Sequence, residues 1–98
     1  MFDNLDWSKR GEYMHAKHGI SVALANDAVA DLNRVVVSPD YNSASGRSVQ
    51  IIGYSMLAEA VITVIAMSSG GIDYGVNGWL ANEKDQRIYR EAEVDGQD

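Results

Sequence analysis

The sequence contains no cysteine, a single proline and a single phenylalanine. The lack of cysteine excludes disulfide bonds, thiolate metal sites and cysteine nucleophiles, and it is typical of proteins of the reducing cytoplasm. The longest mainly apolar run, Ala60 to Met67, is far shorter than the roughly 20 residues that a membrane-spanning helix needs. The N-terminal segment Met1–Asp6 is acidic and lacks the basic and apolar regions of a signal peptide. We therefore expect a cytoplasmic protein with no membrane partner.

Positive charge is also scarce, since 8 lysines and arginines stand against 14 aspartates and glutamates, for a formal net charge of −6. This balance argues against strong nonspecific binding of nucleic acid. Much of the excess lies near the C-terminus, at Glu91, Glu93, Asp95 and Asp98, so a local basic patch elsewhere is compatible with it. The length of 98 residues predicts a single domain over residues 1–93 followed by an acidic tail over 94–98.

Apolar periodicity and turn signals predict three helices and four strands. The predicted helices span 7–18, 22–32 after a Ser21 N-cap, and 83–93 after an Asn82 N-cap, and the predicted strands span 34–37, 48–55, 59–67 and 72–80. Because short turns join consecutive strands, we expect an antiparallel meander and assign the chain to the α+β class. The two glycines within 72–80 predict a bulge or a close approach by another backbone.

Metal and nucleophile signals are weak. The only histidines, His15 and His18, have Glu12 as their one nearby carboxylate, and we expect an exposed helix face there rather than a metal site or a cofactor. The serines around Gly46 lack the neighbours of a serine nucleophile. The glycine pair at 70–71 lacks the Lys-Ser/Thr of a phosphate loop, and a hairpin turn explains it.

Cations beside aromatic residues are the remaining candidates. Arg87 and Arg90 on the last helix, with Tyr89 and Trp79 nearby, are suited to hold phosphate and stack a base. The alternative is a solvated helix in which Arg87 pairs with carboxylates one turn away on each side. His18 is a conceivable acid or base, because histidine exchanges protons near neutral pH, and a half-buried helix-end residue gives the same pattern.

Several short motifs follow one another in a recognisable order. They are Trp7, Lys17–Ser21, Val35–Pro39, Gly46–Arg47, Gly53–Ser55 and Asp85–Arg90, and they cover roughly residues 7–91. The Lys-His-Gly-Ile-Ser start and the Arg-Ile-Tyr ending are the most specific of them. Together, their order and spacing resemble the BrnT family of toxins.

The resemblance implies a RelE-like fold and a role as the toxin component of a bacterial type II toxin–antitoxin pair. Such toxins act on RNA, and a cognate antitoxin that also binds the operator DNA neutralises them. The candidate residues fall in two groups: catalytic candidates His18, Arg87 and Tyr89, and RNA-binding candidates Lys17, Arg47, Arg90 and Trp79.

Residues 77–81 are uncharged where members of that family usually carry a basic run. RNA cleavage without a metal needs positive charge to stabilise the pentavalent phosphate, so the predicted ribonuclease requires positive potential around the final helix. The predicted function is a metal-independent endoribonuclease toxin or a weakened descendant of one. The alternative is a non-catalytic interaction module that binds a partner protein or forms a homodimer.

Overall fold

The computed structural model describes residues 4–38 and 48–95. Its elements are the helices α1 (Gly11–His18) and α2 (Val22–Val29), the strands β1 (Val35–Val37), β2 (Ser48–Ser55), β3 (Ala60–Ser69) and β4 (Ile72–Leu80), and the helix α3 (Glu83–Asp95). The strands form one antiparallel sheet in the order β1-β2-β3-β4. The predicted α+β layout is confirmed. Within the described ranges, no helix has both the length and the apolar character needed to cross a membrane.

Helices α1 and α2 cover one face of the sheet and enclose the main core. Helix α1 packs on β4, and helix α2 packs on β2 and β3. Because side chains alternate between the two faces of a strand, every second residue of β2 and β3 points into this core. The buried core residues are Leu5, Trp7, Met14, Ile20, Ala25, Ala28, Val29, Ile51, Ile62, Val64 and Ala66.

Two glycines allow the chain to pack closely against the sheet. A Cβ atom at Gly53 on β2 would overlap the carbonyl oxygen of Ala28 in α2, and one at Gly75 on β4 would overlap the ring of Trp7. The pairing of β3 with β4 also shifts register between Ile65, which faces Asn77, and Ala66, which faces Gly75, so that Val76 is the extra residue of a bulge. The predicted bulge in β4 is therefore confirmed, whereas the close approach at Gly75 is made by the Trp7 side chain and not by another backbone.

Helix α3 lies on the opposite face of the sheet, where it contacts β1 and β2. Its first turn is fixed to β3 by the hydroxyl of Thr63, which donates to Asp85 Oδ2 at 2.8 Å, and both side chains are buried. The Asn82 side chain accepts the backbone N–H of Asp85 at 2.9 Å, which confirms the predicted N-cap. Ile52 is fully buried on this second face.

Three helix boundaries differ from the sequence prediction, and one of them is the end of α3, which extends to Asp95 rather than to residue 93. Helix α1 begins at Gly11 rather than at Trp7, because residues 8–10 form a turn. Helix α2 is capped by Ser21 as predicted but ends at Val29, so Leu32 lies outside it and is 94% exposed. The Asp31 side chain accepts the backbone N–H of Asn33 at 2.9 Å, a local hydrogen bond that competes with continued helix.

The turn between β3 and β4 is the hairpin that the sequence predicts. Gly70 and Gly71 have φ angles of 60° and 80°. A two-residue turn with positive φ at both positions is of type I′, whose twist matches that of the flanking strands. Glycine adopts this conformation without steric cost, so the pair at 70–71 has a structural explanation.

Candidate nucleic-acid interface

The structure places the predicted site residues in two separate groups. Those on α1 and β4 are Lys17, His18 and Trp79, and those on α3 are Arg87, Tyr89 and Arg90. Strand β4 is one edge of the sheet and β1 is the other, and with strands about 4.8 Å apart these edges are about 14 Å from each other. Because α1 packs on β4 and α3 packs on β1 and β2, the two groups do not converge. Arg47 lies outside the described residues.

His18 and Trp79 are brought into direct contact at the β4 edge. Their ring centroids are 5.6 Å apart with the planes tilted by 56°. His18 is the last residue of α1, and Gly19 ends the helix in the left-handed conformation with φ at 72°. Both rings are half-buried, so one side of each remains accessible. A histidine held against an indole in this way is fixed in orientation while keeping contact with solvent.

Next to this pair, two cations lie over one tyrosine ring on the outer face of α1. Arg10, Tyr13 and Lys17 are spaced i, i+3 and i+7, which places them on one side of the helix. The Arg10 guanidinium carbon is 4.2 Å from the centre of the Tyr13 ring, and Lys17 Nζ is 5.6 Å from it. Hydrogen bonding and positive charge from Lys17, with a smaller effect of Arg10, hold the pKa of the Tyr13 hydroxyl below its usual value. The surroundings of this ring are therefore positive.

A third cation stacks on a ring contributed by β4. Lys9 Nζ lies 4.7 Å from the centre of the Tyr74 ring. The contact between Lys9 and Tyr74 depends on the segment before α1, which is hydrogen-bonded to β4. The backbone N–H of Asp6 donates to the carbonyl oxygen of Asp73 at 2.8 Å, and the carbonyl oxygen of Asp6 accepts the backbone N–H of Gly75 at 2.9 Å. Arg10 Nε adds a hydrogen bond of 3.1 Å to the carbonyl oxygen of Val76. The N-terminal segment is thus fixed along the outer edge of β4, which positions both cations.

These contacts lie along α1 and β4, and we term the residues that make them the α1–β4 strip. Residues 9–18 carry three lysines and arginines against one carboxylate, in a chain whose net charge is −6. A cleft of about 380 Å³ opens beside Lys9, Arg10 and Tyr74. Cations that neutralise phosphates and aromatic rings that stack bases are the two parts of a single-stranded nucleic-acid site. The strip comprises Lys9, Arg10, Tyr13, Lys17, His18, Tyr74 and Trp79.

Sequence reasoning found only part of this strip. Lys9, Arg10, Tyr13 and Tyr74 were not among the predicted site residues. The spacing of Arg10, Tyr13 and Lys17 on one helix face is the signal that could have identified the middle of the strip. The stacking of Lys9 on Tyr74 joins residues that are distant in the chain, so it has no local signature.

The surroundings of α3 differ from the α1–β4 strip in that they carry no excess of positive charge. Over residues 83–92, three lysines and arginines are balanced by three carboxylates. Arg87 and Arg90 are exposed, and among the side chains that the structure describes Arg87 forms no ion pair with Glu83 or Glu91. The Tyr89 hydroxyl donates a hydrogen bond of 2.5 Å to Asp31 Oδ2, next to a carboxylate rather than a cation.

Asp31 connects α3 to the last residues of β2, which extend beyond the pairing of β2 with β1 and which we term the β2 edge. Its Oδ2 atom also accepts the backbone N–H of Tyr54 at 2.8 Å. Partial burial opposes ionisation of Asp31, but the hydrogen bonds from Tyr89, Tyr54 and Asn33 outweigh it and hold the pKa of its carboxyl below the usual value. The cleft beside Tyr89 therefore carries negative charge, whereas lysines and arginines outnumber carboxylates over residues 9–18.

Histidine and carboxylate side chains do not gather into a metal site in the parts of the chain that the structure describes. Comparison with known proteins adds no constraint: no protein-family model matches the chain, and no curated protein matches it. The observations that bear on function are therefore the α1–β4 strip and the order of the sequence motifs.

Proposed function

We propose that the protein binds single-stranded RNA through the α1–β4 strip, as the toxin component of a BrnT-like type II toxin–antitoxin pair. The observation that supports RNA contact best is the stacking of three cations on two tyrosine rings along one edge of the sheet. Stacking restrains long side chains that would otherwise lose rotamer freedom when they bind a phosphate. The strip is thus pre-organised for a polyanion despite the acidic charge of the whole chain.

In this proposal the cations and the rings of the strip have separate roles. Lys9, Arg10 and Lys17 follow the RNA backbone and neutralise its phosphates. The half-buried rings of Tyr74 and Trp79 stack bases, and each such stack is worth about 1–3 kcal/mol. Recognition of this kind depends on salt and tolerates many base sequences, because every base offers a stacking face.

If the protein cleaves RNA, His18 is the candidate for proton transfer on the strip. A ribose 2′-hydroxyl attacks the adjacent phosphorus, its proton passes to His18, and the 5′-oxygen leaves with a proton from water. The contact with Trp79 orients the imidazole for this step. Tyr89 and Arg87 lie away from His18 in this structure, so the strip supplies one proton-transfer group. The proposal requires at least RNA binding, as in a weakened descendant of a ribonuclease that no longer cleaves RNA.

The second candidate function is the non-catalytic interaction module. A specific observation favours it, namely the concentration of exposed apolar side chains around Leu32, Met56 and Leu57. These lie at the other edge of the sheet from the strip, so binding a partner protein there and binding RNA at the strip are compatible.

Induced expression in bacteria tests the proposal. We expect growth arrest and degraded cellular RNA with the wild-type chain, and relief of the arrest by Lys17→Ala or His18→Gln. In gel-shift assays with single-stranded RNA, His18→Gln should retain binding and Lys17→Ala should weaken it. Arg90→Ala, an exposed cation on α3, is the matched control and should leave both readouts unchanged. Harmless accumulation of the wild-type protein, with no retardation of RNA, would refute the proposal.

A further inference from the structure

A second surface lies where the end of α2 meets β2 and the turn that follows it. Leu32, Met56 and Leu57 expose 94%, 79% and 68% of their surface, and Tyr54 is exposed beside them. Single exposed apolar residues are ordinary, whereas a group around one cleft marks an interaction site. The cleft measures about 560 Å³. We term this surface the acidic–apolar patch, formed by Asp27, Asp31, Leu32, Tyr54, Met56 and Leu57.

Two carboxylates give the patch its charge. Asp27 Oδ2 accepts the backbone N–H of Leu57 at 3.0 Å and the hydroxyl of Ser55 at 2.8 Å. The backbone hydrogen bond from Leu57, followed by the bond from Ser55, holds the pKa of the Asp27 carboxyl below its usual value. Asp31 is kept ionised in the same way by Tyr54 and Tyr89. Both charges are therefore present at neutral pH and fixed in position.

The same hydrogen bonds make the patch rigid. Asp27 joins α2 to the turn after β2, and Asp31 joins the end of α2 to β2 and α3. These connections hold Met56 and Leu57 outside the core, although both are apolar. A surface that is already ordered loses little conformational entropy on binding, so its apolar area is available for association.

We propose that the acidic–apolar patch docks a segment of a partner protein in which an apolar side chain is followed closely by a lysine or arginine. The apolar residue would fill the cleft beside Leu32 and Met56, and the cation would lie against Asp27 and Asp31. Fixed negative charge attracts such a segment and repels nucleic acid. This surface is separate from the α1–β4 strip, so the inference does not depend on RNA binding.

A second copy of this chain is the competing occupant, because the strip also combines cations with rings. Docking of the strip of one copy on the patch of the next would be head-to-tail, and such pairing extends into open chains unless it closes into a ring. Sedimentation of the protein alone separates this arrangement from docking of a partner.

The test is a titration of the ¹⁵N-labelled full chain with a synthetic peptide of alternating leucine and lysine. We expect the amide signals of Asp27, Tyr54 and Leu57 to shift. Leu32→Ser and Met56→Ser should each weaken binding by about tenfold or more, since each removes a large apolar contact in the cleft. Ile72→Ser is the matched control, because Ile72 is also exposed but lies at the hairpin between β3 and β4, and it should bind as the wild type does.

Three results would overturn the inference. The first is equal affinity for a peptide with glutamate in place of lysine, and the second is unchanged affinity of both serine variants. The third is concentration-dependent self-association that Met56→Ser abolishes, which would assign the patch to a second copy. Lys17→Ala should not change peptide affinity, so failure of the RNA proposal and failure of this inference are distinguishable.

Discussion

The β4 edge and the β2 edge hold their charged side chains in opposite ways. At the β4 edge, Lys9 and Lys17 lie over tyrosine rings. At the β2 edge, Asp27 and Asp31 accept hydrogen bonds from backbone amides. A ring leaves the N–H donors of an ammonium available to a phosphate, whereas a backbone amide occupies a lone pair of the carboxylate. We therefore expect charge at the β4 edge to act in binding, and charge at the β2 edge to stabilise the fold as well as to attract a partner segment.

The largest expected effect is on the free energy of unfolding, and it depends on how closely α1 and α2 pack on the sheet. In Gly53→Ala, the new Cβ meets the backbone of Ala28, which cannot move without displacing α2. We expect this change to lower the free energy of unfolding by about 3 kcal/mol. In Gly78→Ala, the new Cβ meets the flexible side chain of Met14, and we expect a loss of about 1 kcal/mol. Urea denaturation measures both, and equal losses would show that the two edges are packed alike.

The second largest expected effect is also on the free energy of unfolding, and it tests how far the Asp31 carboxylate stabilises the β2 edge. Asp31→Ala leaves the N–H groups of Tyr54 and Asn33 and the hydroxyl of Tyr89 without this acceptor. Because water reaches the site and replaces part of the loss, we expect a cost of about 2 kcal/mol.

Two further variants provide reference values for the loss of stability in Asp31→Ala. Tyr89→Phe removes one of the three hydrogen bonds and should cost about 1 kcal/mol. Lys17→Ala at the other edge should stay within about 0.5 kcal/mol of the wild type. A larger loss in Lys17→Ala than in Asp31→Ala would reverse the comparison between the edges.

The smallest expected effect is on the pH dependence of stability. The pKa values of Asp27 and Asp31 are lower in the folded chain than their ordinary values. Their contribution is therefore complete above the unfolded value of about 3.9 and is lost as the pH falls through the folded values. Denaturation between about pH 6 and about pH 3 should show stability falling less steeply in Asp31→Asn than in the wild type. Identical slopes would mean that Asp31 is not held ionised by the fold.

Much of the fold could be predicted from local signals. Ser21 and Asn82 cap their helices, and the glycine pair at 70–71 forms the hairpin turn, because each depends on the residue itself and its immediate neighbours. Leu32 continued the apolar spacing of α2, yet it lies outside the helix. The bond from Asn33 to Asp31 favours a turn there, and spacing alone does not reveal which of the two local preferences prevails.

The site was harder to predict, because its residues meet only through the topology. His18 reaches Trp79 because α1 packs on β4, and Lys9 reaches Tyr74 because the N-terminal segment pairs with the edge of β4. Tyr89 is close to Arg87 in sequence, but its hydroxyl contacts Asp31 beside β2, whereas His18 lies at β4. The sequence motifs indicate which residues are candidates, but they do not indicate on which edge of the sheet each residue lies.

The most direct test of the account compares two double variants that each remove two positive charges. Affinity for a fluorescent single-stranded RNA is measured by anisotropy over a range of salt concentrations for Lys9→Ala/Lys17→Ala and for Arg87→Ala/Arg90→Ala. If the α1–β4 strip holds the phosphates, the slope of log affinity against log salt falls in magnitude by about 1.4 in the first variant and stays unchanged in the second. A reduced slope in the α3 variant, with the strip variant like the wild type, would contradict the account.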